Sequence, residues 1–179
     1  SGTARYQADP LAVYQKLCGE REHSLLLESA EIDKKHQLKS LLLTDAAVKI
    51  VCNGNRVSFT PLSLNGQAAV AYAKSQLKEI ASLEETHGQL TASFSPMPVD
   101  LDEKSRLKAV NPFQGLRLFR SMENKDHHPF AIFLGGAFAF DMMSISERLP
   151  QVADGENTCP DYVYYLAETL VIIDHEKRS

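Results

Sequence analysis

Hydrophobic and polar positions alternate along this chain with several distinct periods. Asp9-Pro10 offers a helix cap followed by a residue suited to the first helical position, and Leu11, Tyr14, Leu17 and Cys18 then recur at helical spacing. Gly19 can close that helix. Ser24-Leu25-Leu26-Leu27-Glu28-Ser29-Ala30 reads as a buried strand ending in polar residues, and Glu31 to Lys39 as a polar stretch with room for a short helical turn. Val48, Ile50 and Cys52 alternate with other residues, Asn53-Gly54 follows, and Val57 and Phe59 resume the alternation. That pattern predicts a hairpin turning at Asn53-Gly54, where both residues can take positive φ. Asn65-Gly66 closes this unit, and Ala69, Ala73, Leu77 and Ile80 mark a helix with one apolar stripe.

Farther on, Leu90, Ala92 and Phe94 share a face of a strand spanning 88–95, and a loop runs to about Lys104. Asn111-Pro112-Phe113-Gln114 predicts a capped helix start, with Phe113, Leu116 and Phe119 on one face. A polar, exposed segment follows from Glu123 to Pro129. Phe130 to Phe140 is nearly all apolar and predicts a central strand buried on both faces, with Gly135-Gly136 marking a bulge or a close backbone approach. A loop spans Met143 to Pro160, and Tyr162 to Asp174 predicts a last long strand. Helices and strands mix without regular βαβ alternation. The expected class is α+β, mainly antiparallel sheet with packed helices.

Composition narrows the function classes. The chain has 179 residues with 44% hydrophobic and 23% charged, enough apolar material to build a core. Nineteen Lys+Arg against 23 Asp+Glu give a formal net charge of −4, which argues against nucleic-acid binding. The longest apolar run, Phe130 to Phe140, is too short to span a bilayer, so no membrane segment is expected. Three widely spaced cysteines suit a reducing cytoplasm, and the polar start Ser1-Gly2-Thr3, without an initiator Met, reads as trimmed rather than as a signal peptide.

Chemical signatures are sparse. No GxSxG, P-loop, GxGxxG or CxxC occurs. Asp126-His127-His128 reads as a solvated loop rather than a metal site, and no metal ligand set is expected. His175 to Arg178 reads as a charged strand end or turn, and Cys159 as a buried or inert thiol. Glu168, set within an apolar strand, must face solvent, a partner or a second domain. Glu28-Ser29 allows two readings. The segment's physics alone favours a strand reaching the surface. The other reading is a small polar-ligand site, where the Glu accepts from an ammonium group, the Ser hydroxyl donates and accepts, and the Leu side chains form an apolar wall. An amino acid would suit it.

Three segments carry a resemblance to a family. Leu25-Leu26-Leu27-Glu28-Ser29-Ala30-Glu31-Ile32-Asp33 with Leu38-Lys39-Ser40-Leu41-Leu42, then Gly135 to Asp141, then Cys159-Pro160-Asp161-Tyr162 through Leu170, resemble in order and spacing the N-terminal region of anthranilate synthase component I, a chorismate-utilising enzyme of tryptophan biosynthesis. The glycine motif departs slightly, with Ala137 for Leu and Phe140 for Tyr. The resemblance implies a full-length lyase that converts chorismate and ammonia to anthranilate and pyruvate with Mg2+. A glutamine amidotransferase subunit (component II) would deliver the ammonia, and L-tryptophan would inhibit allosterically. It implies that Leu27, Glu28 and Ser29 line the tryptophan site with Lys39 close by. It further implies that residues 1–179 are an N-terminal regulatory fragment without catalytic residues or a cofactor of its own. The C-terminal catalytic domain would then be a partner within the same chain, completing the site. Arg117 matches a position associated with feedback sensitivity and equally fits a structural Arg on its helix. Component I of aminodeoxychorismate synthase and a stand-alone amino-acid-binding module remain as alternatives. The full-length protein's product separates the first from the anthranilate enzyme, and calorimetry with tryptophan separates the second. With no Trp in the chain, fluorescence can also read the ligand.

Overall fold

The computed structural model describes residues 2–28, 39–96, 102, 104–105, 109–122, 128–140, 142 and 159–179. It has an α+β fold with antiparallel strand pairing. Two compact units are present: residues 1–46 with 167–179, and residues 47–166.

The first unit opens with helix α1 (Pro10–Leu17). The Asp9 side chain accepts from Ala12 N at 3.0 Å, Pro10 fills the first helical position, and Gly19 at φ +55 supplies the left-handed residue past the helix end. Strand β1 (Leu25–Glu28) pairs antiparallel with the start of β2 (Lys39–Asn53), setting Leu25 against Leu43, Leu26 against Leu42, Leu27 against Leu41 and Glu28 against Ser40. The three leucines of β1 are only half-buried, so the expected buried strand is a partly exposed one. Ser29, Ala30 and the polar stretch to residue 38 lie outside the described residues.

In the second unit, β2 alternates inward at Val48, Ile50 and Cys52, and β3 (Arg56–Pro61) answers with Val57 and Phe59, all fully buried. The hairpin is present, but its turn is displaced by one residue. Asn53 pairs with Arg56, leaving Gly54-Asn55 as the loop. Only Gly54 has positive φ (+57), which matches a turn that needs glycine at its first central position rather than an Asn-Gly pair with both φ positive. Helix α2 (Leu64–Leu77) follows directly, capped by Ser63, whose Oγ accepts from Gly66 N at 3.0 Å. Asn65-Gly66 is therefore the first turn of a helix and not a closing turn, and Ile80 lies beyond the helix end. Gly66, Ala69, Val70, Ala73 and Leu77 form its buried stripe.

Strands β4 (Ser82–Thr86) and β5 (Gln89–Ser93) form a second hairpin, and β5 also pairs with β3. Leu90, Ala92 and Phe94 are buried on one face as their spacing predicts. The sequence reading missed β4, whose residues are mostly exposed. Asn111 Oδ1 accepts from Phe113 N at 3.0 Å ahead of a short helix α3 (Gln114–Arg117) that tightens into a 3-10 turn over Leu118–Ser121. Phe119 is buried and meets Phe59 at 6.4 Å between ring centroids.

The expected eleven-residue central strand shrinks to β6 (Leu134–Phe138), which pairs with β7 (Tyr162–Asp174) and is exposed at its last two residues. Phe140 is 83% exposed, so an apolar run is here no guarantee of burial on both faces. The close approach expected at the glycines is real. A Cβ on Gly136 would lie 2.6 Å from Tyr164 Cα. Strand β7 has the predicted bounds. Its first residue, Tyr162, is fully buried and donates to Pro112 O at 2.9 Å. Cys52 is also fully buried; burial first, and then the Asp161 charge, push its thiol up to about 12. Cys159, read as a buried or inert thiol, is exposed, which overturns the burial and leaves the inertness open to test.

Two predictions test this packing. Alanine normally improves a helix by about 1 kcal/mol over glycine. At Gly66 a Cβ would lie 2.8 Å from the Ala47 carbonyl carbon and closer still to its oxygen, and that oxygen already accepts from Leu62 N at 2.7 Å. The clash is with backbone and prevails, so Gly66→Ala is expected to destabilise by about 1–3 kcal/mol in urea unfolding. Gly2→Ala, with nothing within 4 Å, should be silent. The second prediction concerns alkaline pH. The folded state holds the Cys52 proton to about 12 against 9.0 when unfolded, so this group's contribution is full below pH 9 and is lost as pH rises toward 12. The stability difference between wild type and Cys52→Ala should shrink across that window, measured by urea unfolding at stepped pH.

Candidate functional site

The sequence-predicted residues fall in the first unit, at the end of the β1–β2 pair. Because Leu27 opposes Leu41, and Lys39 precedes Leu41 by two, Leu27 and Lys39 share one face of the pair. Glu28 opposes Ser40 and takes the other face. The strand pleat thus brings Leu27 and Lys39 together and separates Glu28 from them. Ser29 lies outside the described residues.

Lys39 and Ser40 are both engaged by the end of β7. Lys39 Nζ stands 3.8 Å from Asp174 Oδ2. The other carboxylate oxygen of Asp174 accepts from Glu176 N at 3.1 Å and Lys177 N at 2.9 Å, closing the turn after β7. The Lys177 N–H is the main reason this carboxyl is held below the usual carboxylate range, with Lys39 adding to it. On the neighbouring residue, His175 Nε2 lies 2.9 Å from Ser40 Oγ and Nδ1 lies 3.0 Å from Tyr6 OH. Ser40 is 2% exposed. The Tyr6 ring meets the imidazole edge-on at 5.9 Å. The sequence reading of His175 as part of a charged strand end missed this bridge.

The remaining candidates are elsewhere in the chain. Arg117 is exposed, with its guanidinium 5.8 Å from the centroid of its own helix's Phe113, a local contact that fits a structural role. Glu168 is exposed on β7. Asp126 and His127 are outside the described residues, and His128 accepts from Phe130 N through Nδ1 at 3.2 Å. A cleft of about 550 Å³ lined by Tyr72, Gln76, Ser121 and Met122 contains none of the predicted residues. Among the described residues no group of three or more His, Cys, Asp or Glu could hold a metal ion, and no helix is long and apolar enough to cross a membrane.

An antiparallel α+β fold carrying a charged strand-end cluster narrows the class, and comparison with known proteins narrows it further. No family model matches the chain. It is similar to anthranilate synthase component 1 of Vibrio cholerae, 47% identical over 97% of this chain and 33% of the relative. The same-named proteins of Escherichia coli K12 (42% identical, 97% of this chain, 34% of the relative) and Salmonella typhimurium (40%, 98%, 34%) agree. The resemblance carried by the motifs therefore extends along nearly the whole chain, which is similar over that length to proteins named anthranilate synthase component 1. The chain spans about a third of the length of these relatives.

The Asp174 turn gives a prediction with a definite sign. Its folded carboxyl ionises below 3.8, so its contribution is present above that pH and is lost as pH falls through the lowered value. Asp174→Asn should melt below wild type at pH 7, and the gap should close as pH drops below 3.8, followed by circular dichroism.

Proposed function

We propose that this chain is the N-terminal, tryptophan-sensing part of an anthranilate synthase component I. The full-length protein would convert chorismate and ammonia to anthranilate and pyruvate, with the ammonia supplied from glutamine by component II. The single observation that carries the reading is the identity of 47% over 97% of the chain to a protein of that name. The reading places the protein in the cytoplasm. Mg2+ belongs to the full-length reaction on this reading. Among the described residues no group of three or more His, Cys, Asp or Glu could hold it.

The contribution of this region is regulatory. Tryptophan binds beside Leu27, Glu28, Ser29 and Lys39. Leu27 and Lys39 share a face, which suits an amphipathic ligand: apolar surface for the indole and an ammonium for the α-carboxylate. Lys39 stands 3.8 Å from Asp174, so a ligand carboxylate competes with Asp174 for the ammonium, and Asp174 then keeps the Glu176 and Lys177 N–H donors. Glu28 points to the opposite face beside Ser40 and, as the exposed last residue of β1, reaches the ligand on this reading only around the strand end. Inhibition follows only if tryptophan binds the inactive arrangement of the full-length enzyme more tightly than the active one.

The test is an activity titration against tryptophan with the full-length enzyme, each variant normalised to its own uninhibited rate. Ser29→Phe is expected to raise the half-inhibitory tryptophan concentration by about fivefold or more, the low end of common allosteric coupling. Unchanged inhibition would remove Ser29 from the site. A full-length product of aminodeoxychorismate would overturn the enzyme assignment itself.

A further inference from the structure

We propose that His175 is a positioning residue for the ligand site at the β1–β2 strand end, acting through Ser40 and braced by Tyr6. The proposal rests on the tryptophan-sensing reading above and adds to it the part of the fold that holds the site in register.

Ser40 is the centre of the bridge. It is the cross-strand partner of Glu28 and the sequence neighbour of Lys39, so its position sets both. Its side chain is 2% exposed, and a hydroxyl removed from water needs a protein partner. His175 Nε2 supplies one at 2.9 Å. The imidazole is fixed in turn at its other nitrogen by Tyr6 OH at 3.0 Å. A neutral imidazole donates from one nitrogen and accepts at the other, and each hydroxyl can do either, so both bonds form in either tautomer. The result is a bridge between the N-terminal segment, the start of β2 and the end of β7.

The bridge has a reason to matter here. Strand β1 is short, Leu25–Glu28, and only half-buried, so its pairing with β2 has little apolar burial to hold it. Register within a short pair is set at its ends as well as by its hydrophobic face. Asp174, adjacent to His175, meets Lys39 on the other side of the same strand end. Asp174 and His175, at the end of β7 and in its following turn, thus hold Lys39 and Ser40, consecutive residues of β2, of which Lys39 belongs to the proposed ligand site and Ser40 pairs with Glu28. Losing the His175 bond frees Ser40 and lets Glu28 and Lys39 move relative to one another. Effective affinity falls because only part of the population keeps the binding geometry.

The experiment uses the full-length protein and two readouts. Amide hydrogen exchange is followed over residues 25–28 and 40–43 in wild type, His175→Ala, Tyr6→Phe and His175→Gln. Exchange there should accelerate in the first two variants, and His175→Gln, which keeps an amide able to face Ser40, should recover toward wild type. Unchanged exchange in both His175→Ala and Tyr6→Phe overturns the bridge. Tryptophan inhibition is titrated in the same proteins, each normalised to its own uninhibited rate. The half-inhibitory concentration should rise by about fivefold or more in His175→Ala, less in Tyr6→Phe, and return in His175→Gln. The double variant should be no worse than His175→Ala, because the two act in one chain of bonds. A wild type that tryptophan inhibits, with unshifted variants, overturns the positioning role and leaves the sensing reading intact. A wild type that tryptophan does not inhibit overturns the sensing reading, while the exchange data still judge the bridge. Tyr6→Phe preserves the ring and its packing, so the test survives if His175→Ala fails to fold.

Discussion

A fifteen-residue strand can leave water only if its backbone groups are matched along its length, and β2 is that strand. It pairs with β1 over residues 40–43 and with β3 over residues 48–53. Ala47 O accepts from Leu62 N, and the same carbonyl is the reason position 66 has no room for a Cβ. Thr44, only 7% exposed, places its hydroxyl within 3.2 Å of the Asp45 carboxylate. Ser40, near the strand's start, is matched by His175. The proposed site lies where β2 begins, and so it depends on how that beginning is held.

The sequence disclosed what local patterns can carry. Alternation and capping residues located α1, β5, β7 and the hairpin around Gly54. The displaced turn arose because Asn53 looks like a turn residue but is drawn into the ladder opposite Arg56. Asn65-Gly66 misled for a related reason: glycine is there for close packing on Ala47, not for turning. β4 escaped because Glu84, Glu85 and Thr86 face water, and a strand with little buried surface leaves no hydrophobic period. The run from Phe130 to Phe140 overstated β6, since apolar character says nothing about what covers it.

The candidate site residues were reached in a different way. Glu28 and Ser29 already offered a polar-ligand reading from residue chemistry, the tryptophan assignment and Lys39 came from the family resemblance, and relatives at 40–47% identity uphold that resemblance along nearly the whole chain. The division of Leu27 and Lys39 from Glu28 follows from register, which depends on which residues pair and not on either segment alone. The His175 bridge was beyond any local reading. Its bonds join residues 135 and 169 positions apart. His175 stands in a charged tetrapeptide that, taken alone, describes an ordinary solvated turn.

Tryptophan sensing by this region requires that the end of the β1–β2 pair bind tryptophan. Photo-crosslinking of the full-length protein with a photoreactive tryptophan analogue, followed by peptide mapping, tests it most directly. The label should fall on peptides covering residues 25–43, and excess L-tryptophan should suppress it. Labelling that L-tryptophan suppresses but that spares residues 25–43 altogether would contradict it.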